Sequence, residues 1–138
     1  WDRSAAGMWL GLSLDTSKAD MMQAVLEGVA LRACEVINAM HEFSAIGDTI
    51  SIDGGMSANP YFCQFLANSL GRNIKIANLN ELTAYGTALL ASPESQPHHL
   101  DADEKIYTPI TSQINYNHTF SNAVDRVKNW RSMPNDTA

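Results

Sequence analysis

The residues best suited to chemistry stand in one short stretch, Ile52-Asp53-Gly54-Gly55-Met56-Ser57-Ala58-Asn59. Two adjacent glycines carry no side chain and permit positive φ, so their backbone amides can come close to a ligand. A helix that follows such a turn directs its partly positive N-terminus toward the same space, which suits the anionic or polar parts of a nucleotide. Asn59, at the predicted start of that helix, has an amide that donates and accepts hydrogen bonds, as recognition of adenine or ribose requires.

A tight turn that binds nothing is the alternative interpretation of the two glycines. The chain contains no G-x-G-x-x-G run and no Walker A run, so the residues indicate neither a dinucleotide fold nor a P-loop. We interpret Glu27 as a solvated or capping helix residue rather than a site carboxylate. The adjacent His98 and His99 are interpreted as part of a solvated linker. We therefore expect no metal site.

Strands and helices on either side must position this turn, and the spacing of apolar residues predicts where they lie. Short apolar runs predict strands at 8–14, 49–53 and 74–77, and apolar residues at three- and four-residue spacing predict helices at 17–43, 59–71, 82–92 and 120–130. This order is typical of parallel βαβ units. We expect an α/β fold with a mostly parallel sheet and flanking helices, and an antiparallel α+β arrangement is the alternative. Gly28 and Gly86 interrupt two of the helix patterns, which predicts close packing there, with a ligand contact by Gly86 as the alternative.

The charge balance and the cysteines narrow the class of protein. Fifteen acidic and nine basic residues give a net charge of −6, so the basic footprint of a nucleic-acid partner is missing. Residues 54–71 are uncharged but interrupted by polar side chains, so they fail as a membrane span. The sequence has no signal-peptide pattern, and Cys34 and Cys63 are predicted to be buried free thiols in a reducing compartment. We expect a cytoplasmic protein without a membrane or nucleic-acid partner.

Several motifs, taken in order, resemble one known family. They are Leu26-Glu27-Gly28-Val29-Ala30, the stretch from Ile52 to Asn59, Gln64-Phe65-Leu66-Ala67, and Leu82-Thr83-Ala84-Tyr85-Gly86-Thr87-Ala88. Together they resemble the C-terminal domain of the FGGY carbohydrate kinases, of which the glycerol kinases are the nearest. Trp1-Asp2 at one end and Tyr107-Thr108-Pro109 near the other also resemble segments of that family, so the similarity covers nearly the whole chain.

The resemblance implies part of a ribonuclease-H-like domain, the fold of the actin-like ATPases. It implies ATP and Mg²⁺ as cofactors, with Gly54 shaping the turn, Gly55 contacting ATP through its backbone and Asn59 contacting the base. Asp53 is then a supporting residue. Residues 1–92 form the partial nucleotide-binding lobe, 93–105 a loop, and 106–138 a C-terminal helical extension.

The resemblance also says what these residues lack. Trp1 is not an initiator methionine, and we expect an upstream portion that carries the catalytic aspartate and the lobe that binds a polyol or sugar. The activity implied is transfer of the γ-phosphate of ATP to such an acceptor, for which glycerol has the best support. No activity is expected of these 138 residues alone. A non-catalytic nucleotide-binding or interaction domain, and a xylulose- or gluconate-type kinase, are the alternatives. Whether the protein forms a homo-oligomer is left open by the sequence.

Overall fold

The computed structural model describes residues 2–76, 82–92, 105–110 and 116–131. They form helices α1 (Lys18–Phe43), α2 (Pro60–Leu70), α3 (Leu82–Ala91) and α4 (Asn117–Val127), and strands β1 (Thr49–Ile52), β2 (Asn73–Ile76) and β3 (Lys105–Tyr107). The predicted loop at 93–105 lies almost entirely outside the described residues, as does Trp1.

Helix α1 begins at the predicted capping box. The backbone N–H of Asp20 donates to Ser17 Oγ at 3.2 Å, and the backbone N–H of Ser17 donates to Asp20 Oδ2 at 2.8 Å. These bonds satisfy two backbone N–H groups reciprocally at the helix start. The helix then runs through Phe43, as its apolar spacing predicts.

Helix α2 also begins and ends where the sequence predicts. Asn59 is the N-cap and Pro60 is the first helical residue, where a missing N–H costs nothing. Gly71 ends the helix in the left-handed conformation with φ 64°, and its N–H donates to Ala67 O at 2.9 Å. Glycine adopts this conformation without strain, which explains the sharp stop.

The sheet has three strands in the order β1-β2-β3. Strands β1 and β2 are parallel, with Ile50 opposite Ile74, which confirms the predicted βαβ unit. Strand β3 lies antiparallel to β2 on the other side, so the described sheet is mixed. The α/β class with flanking helices is confirmed.

The core lies where α1 and α2 pack over β2. Its buried residues are Ala30, Leu31, Cys34, Phe62, Cys63, Phe65, Leu66, Ala67 and Ile74. Both cysteines are buried and free, as predicted. Burial raises the pKa of the Cys34 thiol to about 12 and also raises that of Cys63, so both stay protonated at neutral pH.

The strand predicted at 8–14 is wrong. These residues are irregular, and no described strand pairs with them. A strand needs a neighbour for its backbone N–H and C=O groups, and an apolar alternating pattern does not supply one. Trp9 and Leu14 are exposed instead, at 49% and 105%.

The two ends of the described chain are joined beside α4. The backbone N–H of Asn129 donates to Asp2 Oδ2 at 2.9 Å, and that of Arg131 donates to Ser4 O at 3.0 Å. Asp2 also accepts from the hydroxyl of Ser4 at 2.6 Å. Hydrogen bonds from Ser4 and Asn129 lower the pKa of the Asp2 carboxyl to about 2.

This join is expected to open in acid. The pKa of Asp2 is lower in the folded state than its ordinary value of 3.8, so its stabilising contribution is complete above that value. It is lost as the pH falls through about 2. We expect the NMR signal of the Asn129 amide to shift over this range in the wild type and to be insensitive in Asp2→Ala. An identical acid shift in both proteins would contradict the assignment.

Candidate functional site

The three residues predicted to bind a nucleotide lie together on the connection from β1 to α2. Gly54 and Gly55 follow the exposed Asp53 directly after β1, and Asn59 caps α2. Because β1 and β2 are parallel, their carboxyl ends lie at the same edge of the sheet. Ligands of open α/β sheets bind beyond this edge.

Gly54 has a backbone conformation that requires glycine. Its φ is 92° and its ψ 174°, whereas Gly55 is not among the residues with positive φ. The positive φ that glycine permits is therefore adopted at Gly54. A Cβ built on either glycine would meet no described atom within 4 Å, so the described residues leave the space beside the turn open.

The carbonyl groups of the turn are bonded inward. A short 3-10 helix, Gly55–Ala58, follows the glycines. Gly54 O accepts from the N–H of Ser57 at 3.0 Å and from its hydroxyl at 2.7 Å, and Ser57 O accepts from the thiol of Cys63 at 3.2 Å. No described residue accepts from the N–H of Gly55. The turn therefore offers the N–H of Gly55 to its surroundings as a donor.

The N-terminus of α2 differs from the sequence-based expectation. Asn59 Oδ1 accepts from the N–H groups of Tyr61 at 2.9 Å and Phe62 at 3.2 Å. Pro60 has no N–H, so the first backbone donors of α2 are those of Tyr61 and Phe62, and the cap satisfies both. An anion at this helix end would otherwise contact these N–H groups. The acceptor half of the Asn59 amide is occupied by the same bonds. Its Nδ2 group is the part left for a ligand.

Tyr61 joins this connection to α1, a contact that the sequence analysis missed. Its hydroxyl donates to Glu27 Oε1, which also accepts from Gln23 Nε2 at 2.7 Å. Burial, together with the hydrogen bond to Glu27, raises the pKa of Tyr61 to about 12. Residues 27 and 61 are far apart in sequence, so no local spacing signals the pair. Glu27 is a packing residue between two helices here.

Two further glycines do not fit their predictions. A Cβ on Gly28 or Gly86 would meet no described atom within 4 Å, so the close packing expected at both is not found among the described residues. Gly86 lies on α3, which makes no extensive contact with β1 or α2.

The described ranges contain no group of three His, Cys, Asp or Glu side chains arranged to hold a metal ion. None of their helices is both long and apolar enough to cross a bilayer.

A parallel strand pair flanked by helices, with an open glycine turn at its carboxyl edge, defines an α/β domain. The family model for the C-terminal domain of the FGGY family of carbohydrate kinases matches residues 1–93. The chain belongs to this family.

Curated relatives agree with that membership. The chain is 36% identical over 92 residues to a glycerol kinase of Rhodopirellula baltica, covering 66% of this chain and 17% of that protein. It is 32% identical over 124 residues to a glycerol kinase of Nitrosomonas eutropha, covering 82% and 24%. The chain thus spans about a fifth of the length of these relatives.

Solved structures show the same fold. A Plasmodium falciparum glycerol kinase with ADP matches 92% of this chain and 28% of its own, with TM-score 0.72 and 24% identity. A xylulose kinase from Rhodospirillum rubrum matches 88% and 26%, with TM-score 0.64 and 17% identity. The chain has part of the actin-like ATPase fold of these kinases.

The conformation of Gly54 generates a stability prediction. Alanine at Gly54 would be forced into a region that only glycine occupies readily, so Gly54→Ala should lower the free energy of unfolding by about 1–3 kcal/mol. Gly47→Ala is the matched control, because Gly47 precedes the same strand, has no positive φ and has equally open space. Urea unfolding measures both, and equal effects would contradict the claim.

Proposed function

We propose that this chain is the nucleotide-binding C-terminal part of an ATP-dependent carbohydrate kinase. The enzyme transfers the γ-phosphate of ATP to a hydroxyl of a polyol or sugar, with glycerol as the acceptor. Membership of the carbohydrate kinase family carries the proposal. Several relatives named glycerol kinase and a similar structure that contains ADP support the choice of acceptor and nucleotide.

The open turn after β1 is the proposed nucleotide contact. The N–H of Gly55 has no described acceptor and no side chain in front of it, so an oxygen or nitrogen atom of adenosine can approach it. Asn59 Nδ2 is proposed to donate to the base, since its Oδ1 is occupied by the cap. Gly54 supplies the bend, and Asp53 is a supporting residue.

Phosphoryl transfer depends mainly on positioning and electrostatic stabilisation of the moving group. When bound, Mg²⁺ neutralises charge on the phosphates of ATP. We assign to this chain the binding and orientation of the adenosine end. The catalytic aspartate and the residues that hold the acceptor are not assigned to these residues. The buried free thiols Cys34 and Cys63 suit the reducing cytoplasm, where we place the enzyme.

A side chain at Gly55 tests the nucleotide contact. Gly55→Val fills open space without meeting a described atom, so the fold should tolerate it while adenosine loses its approach. In the full-length protein we expect the KM for ATP to rise about tenfold or more and the KM for the acceptor to change little. Gly47→Val is the control, because Gly47 lies at the opposite end of β1 and has similar open space.

Asn59 is tested in the same assay by two substitutions. Asn59→Ala removes the cap and costs about 1 kcal/mol of stability, whereas Asn59→Ser keeps a capping oxygen and removes Nδ2. Raised ATP KM in Asn59→Ser at near-normal stability would support the base contact. Unaltered ATP kinetics in both Gly55→Val and Asn59→Ser would refute the assignment of this turn.

The assignment of only the adenosine end to this chain generates a separate prediction. The 138-residue chain alone should show no ATP-dependent phosphorylation of glycerol in a coupled assay, because the adenosine side by itself cannot position an acceptor. A boiled sample sets the background. Turnover that depends on both the chain and glycerol would show that the catalytic groups lie within these residues.

A further inference from the structure

The peptide between Gly54 and Gly55 has two hydrogen bonds on its carbonyl side. Gly54 O accepts from both the backbone N–H and the hydroxyl of Ser57, at 3.0 and 2.7 Å. A trans peptide is planar, so its N–H points opposite to its C=O. The bonds to Ser57 therefore direct the N–H of Gly55 away from Ser57.

This peptide needs such a restraint because glycine stands on both sides of it. With no Cβ at either residue, little steric resistance opposes rotation of the peptide plane. Apart from the chain neighbours, no described atom lies within 4 Å of a Cβ built on either glycine, so no more distant described side chain packs against the peptide there. The hydrogen bond from the Ser57 hydroxyl to Gly54 O therefore restrains the orientation of this peptide plane.

Ser57 is in turn hydrogen-bonded to α2. Its carbonyl oxygen accepts from the thiol of Cys63 at 3.2 Å. The Cys63 side chain is completely buried in the core between α1 and α2. Burial keeps this thiol protonated at neutral pH, so it remains a donor. The 3-10 helix is thereby attached to the best-packed part of the fold.

We propose that Ser57 and Cys63 are positioning residues for nucleotide binding: Ser57 orients the amide of Gly55, and Cys63 fixes Ser57 to the core. This inference rests on the function proposed for the turn. It adds two residues that do not touch the nucleotide themselves. Their loss should weaken ATP binding without affecting the acceptor.

Cys34 offers a matched control for Cys63. Both are free thiols of the same core cluster, with 1% and 0% of their surface exposed. Cys34 lies on α1 and makes no hydrogen bond to the turn. Truncating either thiol therefore removes a similar buried volume, and only one truncation removes the bond to Ser57.

The experiment compares five variants of the full-length protein: Ser57→Ala, Ser57→Thr, Cys63→Ala, Cys63→Ser and Cys34→Ala. We expect Ser57→Ala and Cys63→Ala to raise the KM for ATP about three- to tenfold, the size of one lost hydrogen bond. The KM for the acceptor should stay unchanged. Ser57→Thr and Cys63→Ser keep a donor and should stay within about twofold of the wild type. Cys34→Ala should lower the Tm about as much as Cys63→Ala, with ATP kinetics intact.

Three outcomes would overturn the positioning role. The first is an equal rise in ATP KM for Cys34→Ala and Cys63→Ala, which would reflect general loosening of the core. The second is a Cys63→Ser variant as impaired as Cys63→Ala. The third is a raised KM in Gly55→Val with normal values in Ser57→Ala and Cys63→Ala. If Gly55→Val is silent as well, the nucleotide assignment of the turn fails with it.

Discussion

The contact between α1 and α2 is the packing interaction on which the rest of the described structure depends. Each helix presents two small buried residues four positions apart, Ala30 with Cys34 on α1 and Cys63 with Ala67 on α2. Residues at this spacing lie on one ridge of a helix, and small side chains there let two helices approach closely. The same contact places Cys63 beneath the glycine turn. The conformation of the turn is thus linked, through the Cys63 thiol, to the helix contact in the core.

In the turn, the oxygens of Gly54, Ser57 and Asn59 accept hydrogen bonds, whereas the N–H of Gly55 has no described acceptor. Backbone oxygens are taken by Ser57 and Cys63, and the oxygen of Asn59 is taken by the cap of α2. The open side of the turn therefore presents the N–H of Gly55. In the proposed function this donor meets an acceptor atom of adenosine. A contact of this proposed kind depends on the direction of a backbone N–H, and therefore on the residues that hold the turn.

The sequence predicts the parts of this arrangement that depend on local signals. The capping residues Ser17 and Asn59 and the helix stop at Gly71 follow from single-residue preferences, and the positive φ at Gly54 is one that glycine permits. It does not predict the link from Tyr61 to Glu27, because that contact requires the two helices to be packed first. The strand expected at 8–14 fails for a related reason. Apolar alternation marks a candidate strand, but pairing depends on a neighbour that local pattern cannot specify.

The join between Asp2 and Asn129 has a consequence for the order of folding. Its partners are separated by 127 positions, so it closes a loop around nearly the whole described chain. Forming it early would carry a large loop-closure entropy, whereas docking of α4 on α1 brings the partners close beforehand. We therefore expect the join to form late in folding. Because both partners are exposed, we also expect it to open early, so that the two ends of the described chain separate while the helical core stays intact.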